Sequence, residues 1–135
     1  MESCSKAEFN LNIINDDLID LAKNGNFDVI IHGCNCFCTM CAGIAKVIKQ
    51  EFPEAYLPDL QTEVGSREIL GSYSLASITR NNINFIIVNA YTQYNWRGKG
   101  MKADYLAIRS VFSKIKQDFY SCKIAYPMLG AGLAG

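Results

Sequence analysis

The chain has 135 residues, the length of a single domain, and half of them are hydrophobic. Since only 19% are charged, the composition excludes a disordered chain. The 13 basic and 13 acidic residues balance, and no extended basic patch of the kind that binds nucleic acid is present. No apolar run is long enough to span a membrane, and the N-terminus lacks a signal-peptide core. We therefore expect a cytoplasmic monomer that binds neither nucleic acid nor membranes.

In the first half of the chain, hydrophobic spacing predicts strands that alternate with helices. The predicted elements are a strand at 9–14, a helix after Asp16 that ends at Gly25, a strand at 27–33 and a helix from Ala42 to Phe52. The second helix has one apolar face, formed by Ile44, Ala45, Ile48 and Phe52. Residues 54–70 are predicted to be loop or partly helical.

The second half contains two further strands, a hairpin and a long helix. The predicted elements are a strand at 72–79, a tight turn at Asn81-Asn82, a strand at 83–89, an aromatic loop at 91–100, a helix at 101–120 and a strand at 122–126. The alternating apolar residues of the first strand are Tyr73, Leu75 and Ile78. The helix has an apolar face of Tyr105, Ile108, Phe112, Ile115 and Phe119. Together these elements predict an α/β fold with a mixed sheet covered on both faces.

Two loops of small and polar residues follow predicted strands, one after Ile31 and one after Tyr126. A loop between a strand and a helix aims backbone N–H groups and the helix N-terminus at one point, which suits a phosphate. In such folds, ligands bind at the carboxyl ends of the strands. Residues 130–135 match G-x-G-x-x-G, but the helix and acidic residue that this fingerprint requires do not follow. A Rossmann dinucleotide site is therefore not predicted.

The first loop begins with the one histidine of the chain, His32, and with Asn35. His32 has two interpretations: a structural histidine bonded to a backbone carbonyl, or a group that transfers protons, for which a pKa near 6.5 is suited. Asn35 either ties down the loop or orients a ribose hydroxyl or an attacking water.

Four of the six cysteines lie in the same segment, at positions 34, 36, 38 and 41. A structural zinc site normally has two well-separated ligand pairs, and no second pair follows here. We expect small buried thiols rather than a metal site, and no disulfides.

Four sequence motifs, in this order, resemble a macro domain, and the most similar branch is the ADP-ribose 1''-phosphate phosphatases of phage and yeast type. The motifs are His32-x-Cys34-Asn35-Cys36, Met40-x-Ala42-Gly43-Ile44-Ala45, Val88-Asn89 and Pro127-x-x-Gly130-Ala131-Gly132-Leu133. The resemblance covers nearly the whole chain. It implies a three-layer α/β/α fold that binds ADP-ribose or ADP-ribose 1''-phosphate, with no metal or redox cofactor.

The resemblance also assigns roles to residues. It makes His32 and Asn35 catalytic candidates, with Asn35 on the distal ribose, and it sets the pyrophosphate between residues 40–45 and 129–134. Asp17 best matches the acid that contacts adenine, with Asp16 as the alternative, and Tyr91 matches an aromatic that lines the ribose or adenine. The implied ligand-binding residues are Asp17, Met40, Cys41, Ala42, Gly43, Ile44, Ala45, Asn89, Tyr91, Leu129, Gly130, Ala131, Gly132, Leu133 and Ala134.

The chain departs from the family pattern in two places. Cys41 stands where the family usually has glycine, which lets the backbone approach a phosphate. The sequence stops at Gly135, where relatives usually continue through a last helix and strand. We expect a single domain over 1–135 without those elements, either a fragment or a short form. The function predicted is hydrolysis of ADP-ribose 1''-phosphate or a related ester, and the alternative is a module that binds ADP-ribose without turnover.

Overall fold

The fold alternates helices and strands, as the hydrophobic spacing predicts. A computed structural model describes residues 18–40, 43–94 and 104–127. Its elements are α1 (Leu18–Lys23), β1 (Val29–Cys34), α2 (Gly43–Glu51), α3 (Tyr56–Leu60), β2 (Tyr73–Arg80), β3 (Ile83–Tyr91), α4 (Tyr105–Asp118) and β4 (Ile124–Ala125), with short 3-10 turns at Pro53–Ala55 and Arg67–Ile69. The predicted strand at 9–14 and Asp16 lie outside these residues.

The strands form one mixed sheet in the order β2-β3-β1-β4. Strand β1 pairs in parallel with β3 and with β4, so Val29 lies between Ile86 and Ile124. Strand β2 runs antiparallel to β3 as the outer arm of a hairpin. At the hairpin turn, Asn81 and Asn82 have φ values of 52° and 67°. Positive φ at both central residues is the conformation of a type I′ turn, one of the two that join two-residue hairpins, and it confirms the predicted turn.

Helices pack on both faces of the sheet, and alternate residues of β1 supply each face. Ile30 lies in a core with Ile48 and Phe52, which belong to α2 and the residue after it. Val29 and Ile31 point to the opposite core, which α4 covers with Val111 and Ile115. The predicted α/β/α layering is therefore confirmed. No helix in the described part of the chain is long and apolar enough to cross a membrane.

Two predicted apolar faces are wrong in part. On β2, Ala76 and Ile78 are buried, whereas Leu75 is 40% exposed because it points to the other face of the sheet. On α4, the buried residues are Ala107, Val111 and Ile115, while Tyr105 is 59% exposed. Both predictions favoured large side chains over small alanines, although an alanine packs closely where two elements approach each other.

Two predicted boundaries also differ. Strand β3 continues to Tyr91, which was predicted to begin a loop. Helix α4 begins at Tyr105 rather than at Met101, because Asp104 has an extended backbone and its carboxylate accepts hydrogen bonds from the amides of Leu106 and Ala107. Such a carboxylate is a typical N-cap, and it fixes the first turn of the helix.

Candidate functional site

The candidate site lies where the parallel strands β1 and β3 end. Cys34, the last residue of β1, pairs with Tyr91, the last residue of β3. Residues 35–40, which we call the ligand loop, leave the sheet here and lead to Gly43, the first residue of α2. The carboxyl ends of strands and a helix N-terminus therefore meet at one edge of the sheet, which is where ligands bind in open α/β folds.

The side chain of Asn35 organises the start of the ligand loop. Its Oδ1 accepts a hydrogen bond of 2.7 Å from the amide of Phe37, and its Nδ2 donates one of 2.6 Å to Thr39 Oγ1. This is the turn-forming use of asparagine, in which the side chain bonds the backbone two residues on. The structure thus shows the loop-tying role of Asn35, and its amide is nearly buried.

The backbone of the ligand loop takes an uncommon conformation at two positions. Cys38 and Met40 have φ values of 59° and 42°, in the left-handed region that favours glycine. Residues in this region persist only where surrounding contacts hold them, and they concentrate at functional sites. The conformation therefore marks the ligand loop as a segment whose shape is held by its neighbours.

His32 lies in the core rather than on the surface of the site. Its side chain has no exposed area, and its Nε2 donates a hydrogen bond of 2.6 Å to Oδ1 of Asn89. The amide nitrogen of Asn89 donates to Ala55 O and Ser74 Oγ, so its oxygen faces His32 and the proton is assigned to Nε2. Burial lowers the pKa of His32 to about 4, although the Asn89 bond opposes this shift. The imidazole is therefore neutral at physiological pH.

A buried chain of hydrogen bonds runs from this pair to α3. The hydroxyl of Tyr91 lies 2.8 Å from Ser74 Oγ and donates to Oδ1 of Asp59, also at 2.8 Å. Burial raises the pKa of the Asp59 carboxyl, while the Tyr91 hydroxyl acts in the opposite direction. Burial also raises the pKa of Tyr91, so it stays protonated and serves as a donor. The network joins three strands to α3 beneath the ligand loop.

Three cysteines of the segment, Cys34, Cys36 and Cys38, are buried thiols, and Cys41 lies outside the described residues. Burial raises the pKa of Cys34, Cys36 and Cys38, in the case of Cys36 to about 11. Because the thiolate is the nucleophile, none of the three is activated at neutral pH. Among residues 18–40, 43–94 and 104–127, no group of three histidine, cysteine, aspartate or glutamate side chains is arranged to hold a metal ion.

The structure brings together only part of the predicted site. Five candidates lie buried around the ends of β1 and β3: His32, Asn35, Met40, Asn89 and Tyr91. The hydroxyl of Tyr91 belongs to the buried network. Gly43, Ile44 and Ala45 form the first turn of α2. The remaining candidates fall outside the described residues: Asp17, Cys41, Ala42, Leu129, Gly130, Ala131, Gly132, Leu133 and Ala134.

Sequence reasoning missed the residues of the 54–70 segment that contact the ligand loop. The hydroxyl of Tyr56 donates to Cys38 O, and the carbonyl of Asp59 accepts from Cys38 Sγ. Asp59 is only 1% exposed. An acidic residue this deeply buried needs specific partners, but nothing local in the sequence distinguishes it from a surface aspartate.

Comparison of the sequence with known proteins finds a relative encoded by a bacteriophage. The chain is 32% identical to the uncharacterized 17.5 kDa protein of the tk-vs intergenic region of Enterobacteria phage T4, over 89% of this chain and 77% of that protein. The chain belongs to the family of that phage protein. No protein-family model matches the sequence.

Comparison with solved structures identifies the fold of this chain. The macrodomain of Mycobacterium tuberculosis DarG superposes with a TM-score of 0.65 at 18% identity, over 84% of this chain and 75% of that one. Thermosipho africanus DarTG, solved in complex with ADP-ribose, gives a TM-score of 0.61 at 19% identity, over 84% of this chain and 32% of that one. The chain therefore has a macro-domain fold.

Proposed function

We propose that this macro-domain fold binds ADP-ribose, or a molecule carrying an ADP-ribosyl group, at the carboxyl ends of β1 and β3. The observation that carries the proposal is the ligand loop itself. Its backbone is held in a left-handed conformation at Cys38 and Met40, directly before the N-terminus of α2. The complex of Thermosipho africanus DarTG with ADP-ribose supports the choice of ligand.

The N-terminus of α2 suits the pyrophosphate of this ligand. Helix α2 has nine residues, and its first turn contains no acidic side chain that would cancel the positive end of the helix dipole. Free backbone N–H groups of a first turn are donors for phosphate oxygens. We propose that residues 40–45 hold the pyrophosphate from this side and that residues 129–134 hold it from the other, as the sequence motifs imply.

Hydrolysis of ADP-ribose 1''-phosphate is the second candidate function, and the motif His32-x-Cys34-Asn35-Cys36 favours it. In this reaction, water attacks phosphorus, the bond to the ribose oxygen breaks, and that oxygen takes up a proton. The buried, neutral His32 does not act as the proton donor in our proposal; it positions Asn89 and the end of β1. We therefore favour binding without turnover over hydrolysis as the function, whereas the sequence analysis favoured hydrolysis.

Calorimetric titration with ADP-ribose tests the first proposal, with ADP as the control that lacks the distal ribose. We expect ADP-ribose to bind more tightly than ADP. The variant Cys41→Gly restores the residue that the family usually has at this position, and it reports whether the cysteine side chain limits affinity. If neither wild type nor Cys41→Gly binds ADP-ribose, the proposed function is wrong.

Release of inorganic phosphate from ADP-ribose 1''-phosphate tests the second candidate. We expect Asn35→Ala to remove the activity if the Asn35 amide contacts substrate or water. Thr39→Val is the matched control, because it removes only the side-chain partner of Asn35 Nδ2 within the loop. Equal losses in the two variants would assign Asn35 to loop structure alone, and no phosphate release by wild type would reject hydrolysis.

A further inference from the structure

Two hydrogen bonds and one close polar contact from one short segment converge on Cys38, in the middle of the ligand loop. The hydroxyl of Tyr56 donates to Cys38 O at 2.6 Å. Cys38 Sγ donates to Asp59 O at 2.9 Å and lies 3.3 Å from Thr62 Oγ1. Cys38 is only 7% exposed, so these bonds are well shielded from water. The backbone and the side chain of one loop residue are thus both held by residues 56–62.

Cys38 needs this support because of its backbone conformation. Its φ of 59° lies in the left-handed region, where a Cβ atom is unfavourable. Without outside contacts, a cysteine would relax towards negative φ, and the chain on either side would change direction. A single relaxation at Cys38 would therefore move Met40 and the approach to α2.

The segment that holds Cys38 is itself fixed to the sheet. Asp59 Oδ1 accepts a hydrogen bond of 2.8 Å from Tyr91, the last residue of β3, and Thr62 Oγ1 donates to Asp59 O at 2.7 Å. Lys49 of α2 lies over the ring of Tyr56, 4.4 Å from its centroid. The segment thus connects the loop both to the strand ends and to α2, at whose N-terminus we propose that the ligand binds.

We propose that Tyr56 is a positioning residue that holds the ligand loop in its binding conformation through the carbonyl of Cys38. The proposal rests on the proposed function, since it assigns to Tyr56 a share of the affinity for ADP-ribose. Tyr56 acts through Cys38 and not on the ligand. Its hydroxyl raises the fraction of molecules in which the loop is already in the competent state, and apparent affinity is proportional to that fraction.

The test compares Tyr56→Phe with Tyr73→Phe by calorimetric titration with ADP-ribose. Each variant removes one hydroxyl donor and keeps the ring, but Tyr73 donates to Asp118 on the α4 side of the sheet, away from the loop. We expect Tyr56→Phe to weaken binding about three- to tenfold, the effect of losing one ordinary hydrogen bond. Tyr73→Phe should bind within about twofold of wild type, as expected for a change outside the site.

A rescue variant separates the proposed role from general loss of structure. In the Tyr56→Phe background, Cys38→Gly lets the backbone adopt positive φ without a Cβ atom. Because Cys38→Gly also removes the Sγ contacts to Asp59 and Thr62, the double variant is compared with Cys38→Gly alone. We expect Tyr56→Phe to lose at most half as much affinity in the glycine background as in wild type, on a logarithmic scale. An undiminished loss in the glycine background would overturn the proposal, and so would wild-type affinity in Tyr56→Phe.

Amide hydrogen exchange without ligand keeps this proposal separate from the function itself. The amide of Phe37 bonds to Asn35, and the amide of Gly65 bonds to Cys36 O. Both should exchange faster in Tyr56→Phe than in Tyr73→Phe. If neither wild type nor Cys41→Gly binds ADP-ribose, the proposed function fails and exchange alone decides the role of Tyr56: faster exchange supports it, and unchanged exchange overturns it.

Discussion

His32 and Asn89 are register partners on adjacent parallel strands, and a buried hydrogen bond of 2.6 Å joins Nε2 of one to Oδ1 of the other. The bond ties β1 to β3 close to where both strands end. His32, which the sequence motifs associate with catalysis, is thus buried in the core near the start of the ligand loop. Its contribution is to hold the two strand ends together, and both stability and site geometry depend on its being neutral.

The first prediction concerns the pH dependence of stability. In the unfolded chain His32 takes up a proton near pH 6.5, whereas in the folded protein its pKa is about 4, mainly because of burial. Between these values the unfolded state binds more protons, so stability falls as pH decreases. From pH 7 to pH 5 we expect a loss of about 2 kcal/mol, measured by urea unfolding.

The variant His32→Gln identifies the source of this loss. The chain has one histidine, so the variant should be nearly independent of pH between about 7 and 5. Asp59 affects stability in the opposite direction, because its raised pKa makes the folded state bind a proton more readily than the unfolded state as the pH falls. Both proteins contain Asp59, so its contribution cancels when the stability of the variant is subtracted from that of wild type. An equal slope in wild type and variant would contradict the burial of a neutral His32.

The second prediction concerns Asn89, which makes three side-chain hydrogen bonds in the core, to His32, Ala55 and Ser74. Asn89→Ala removes all three hydrogen bonds and opens a cavity, although Ser74 keeps its bond with the Tyr91 hydroxyl. We expect it to destabilise the protein by roughly 2–4 kcal/mol in urea unfolding. Asn84→Ala is the control on the same strand, because Asn84 is exposed, and it should cost less than about 0.5 kcal/mol. Similar losses at both positions would argue against the buried network.

Much of the fold could be predicted from sequence because its main elements have strong periodicity. The spacing of Ile44, Ile48 and Phe52 indicates one apolar face of a helix, and the short apolar run of β1 is typical of a strand buried on both faces. Where an alanine carried the packing, as Ala76 and Ala107 do, the predicted apolar face was wrong in part, although Ile78 and Ile115 are buried as predicted. Alanine is common on surfaces and in cores alike, so its position along the chain says little about burial.

The location of the candidate site is inferred from the sequence motifs, whereas its internal contacts could not be predicted from them. A strand followed by a polar loop and a helix indicates a ligand site at that point in any open α/β fold. The bond between Tyr91 and Asp59 joins residues 32 positions apart. Such pairing depends on how α3 packs against the sheet, and the sequence of 54–70 has no periodicity that predicts this packing.

The third prediction concerns the start of α4. The Asp104 carboxylate accepts hydrogen bonds of 3.0 and 3.1 Å from the amides of Leu106 and Ala107. Asp104→Ala should therefore lower the free energy of unfolding by about 1 kcal/mol, whereas Asp104→Asn, which keeps the acceptor oxygen, should lose less than half of that. Thermal unfolding followed by circular dichroism measures both. If Asp104→Asn lost as much stability as Asp104→Ala, the effect would come from the negative charge near the helix rather than from capping.

The fourth prediction concerns the hairpin turn between β2 and β3. Asn82 has a φ of 67°, which glycine adopts without steric cost and alanine does not. We expect Asn82→Gly to stabilise the protein by about 0.5 kcal/mol, because Asn-Gly is the preferred pair in such a turn even though glycine loses more entropy on folding. Asn82→Ala should destabilise it by about 1 kcal/mol.

The same pair of substitutions at Asn84 provides the control for the turn. Asn84 is exposed and lies within β3, where the backbone is extended. There glycine weakens the strand, so Asn84→Gly should be less stable than Asn84→Ala. Urea unfolding of the four variants gives the order of stability at each position. We expect the glycine variant to be more stable than the alanine variant at position 82 and less stable at position 84. The same order of stability at both positions would contradict the left-handed backbone of Asn82.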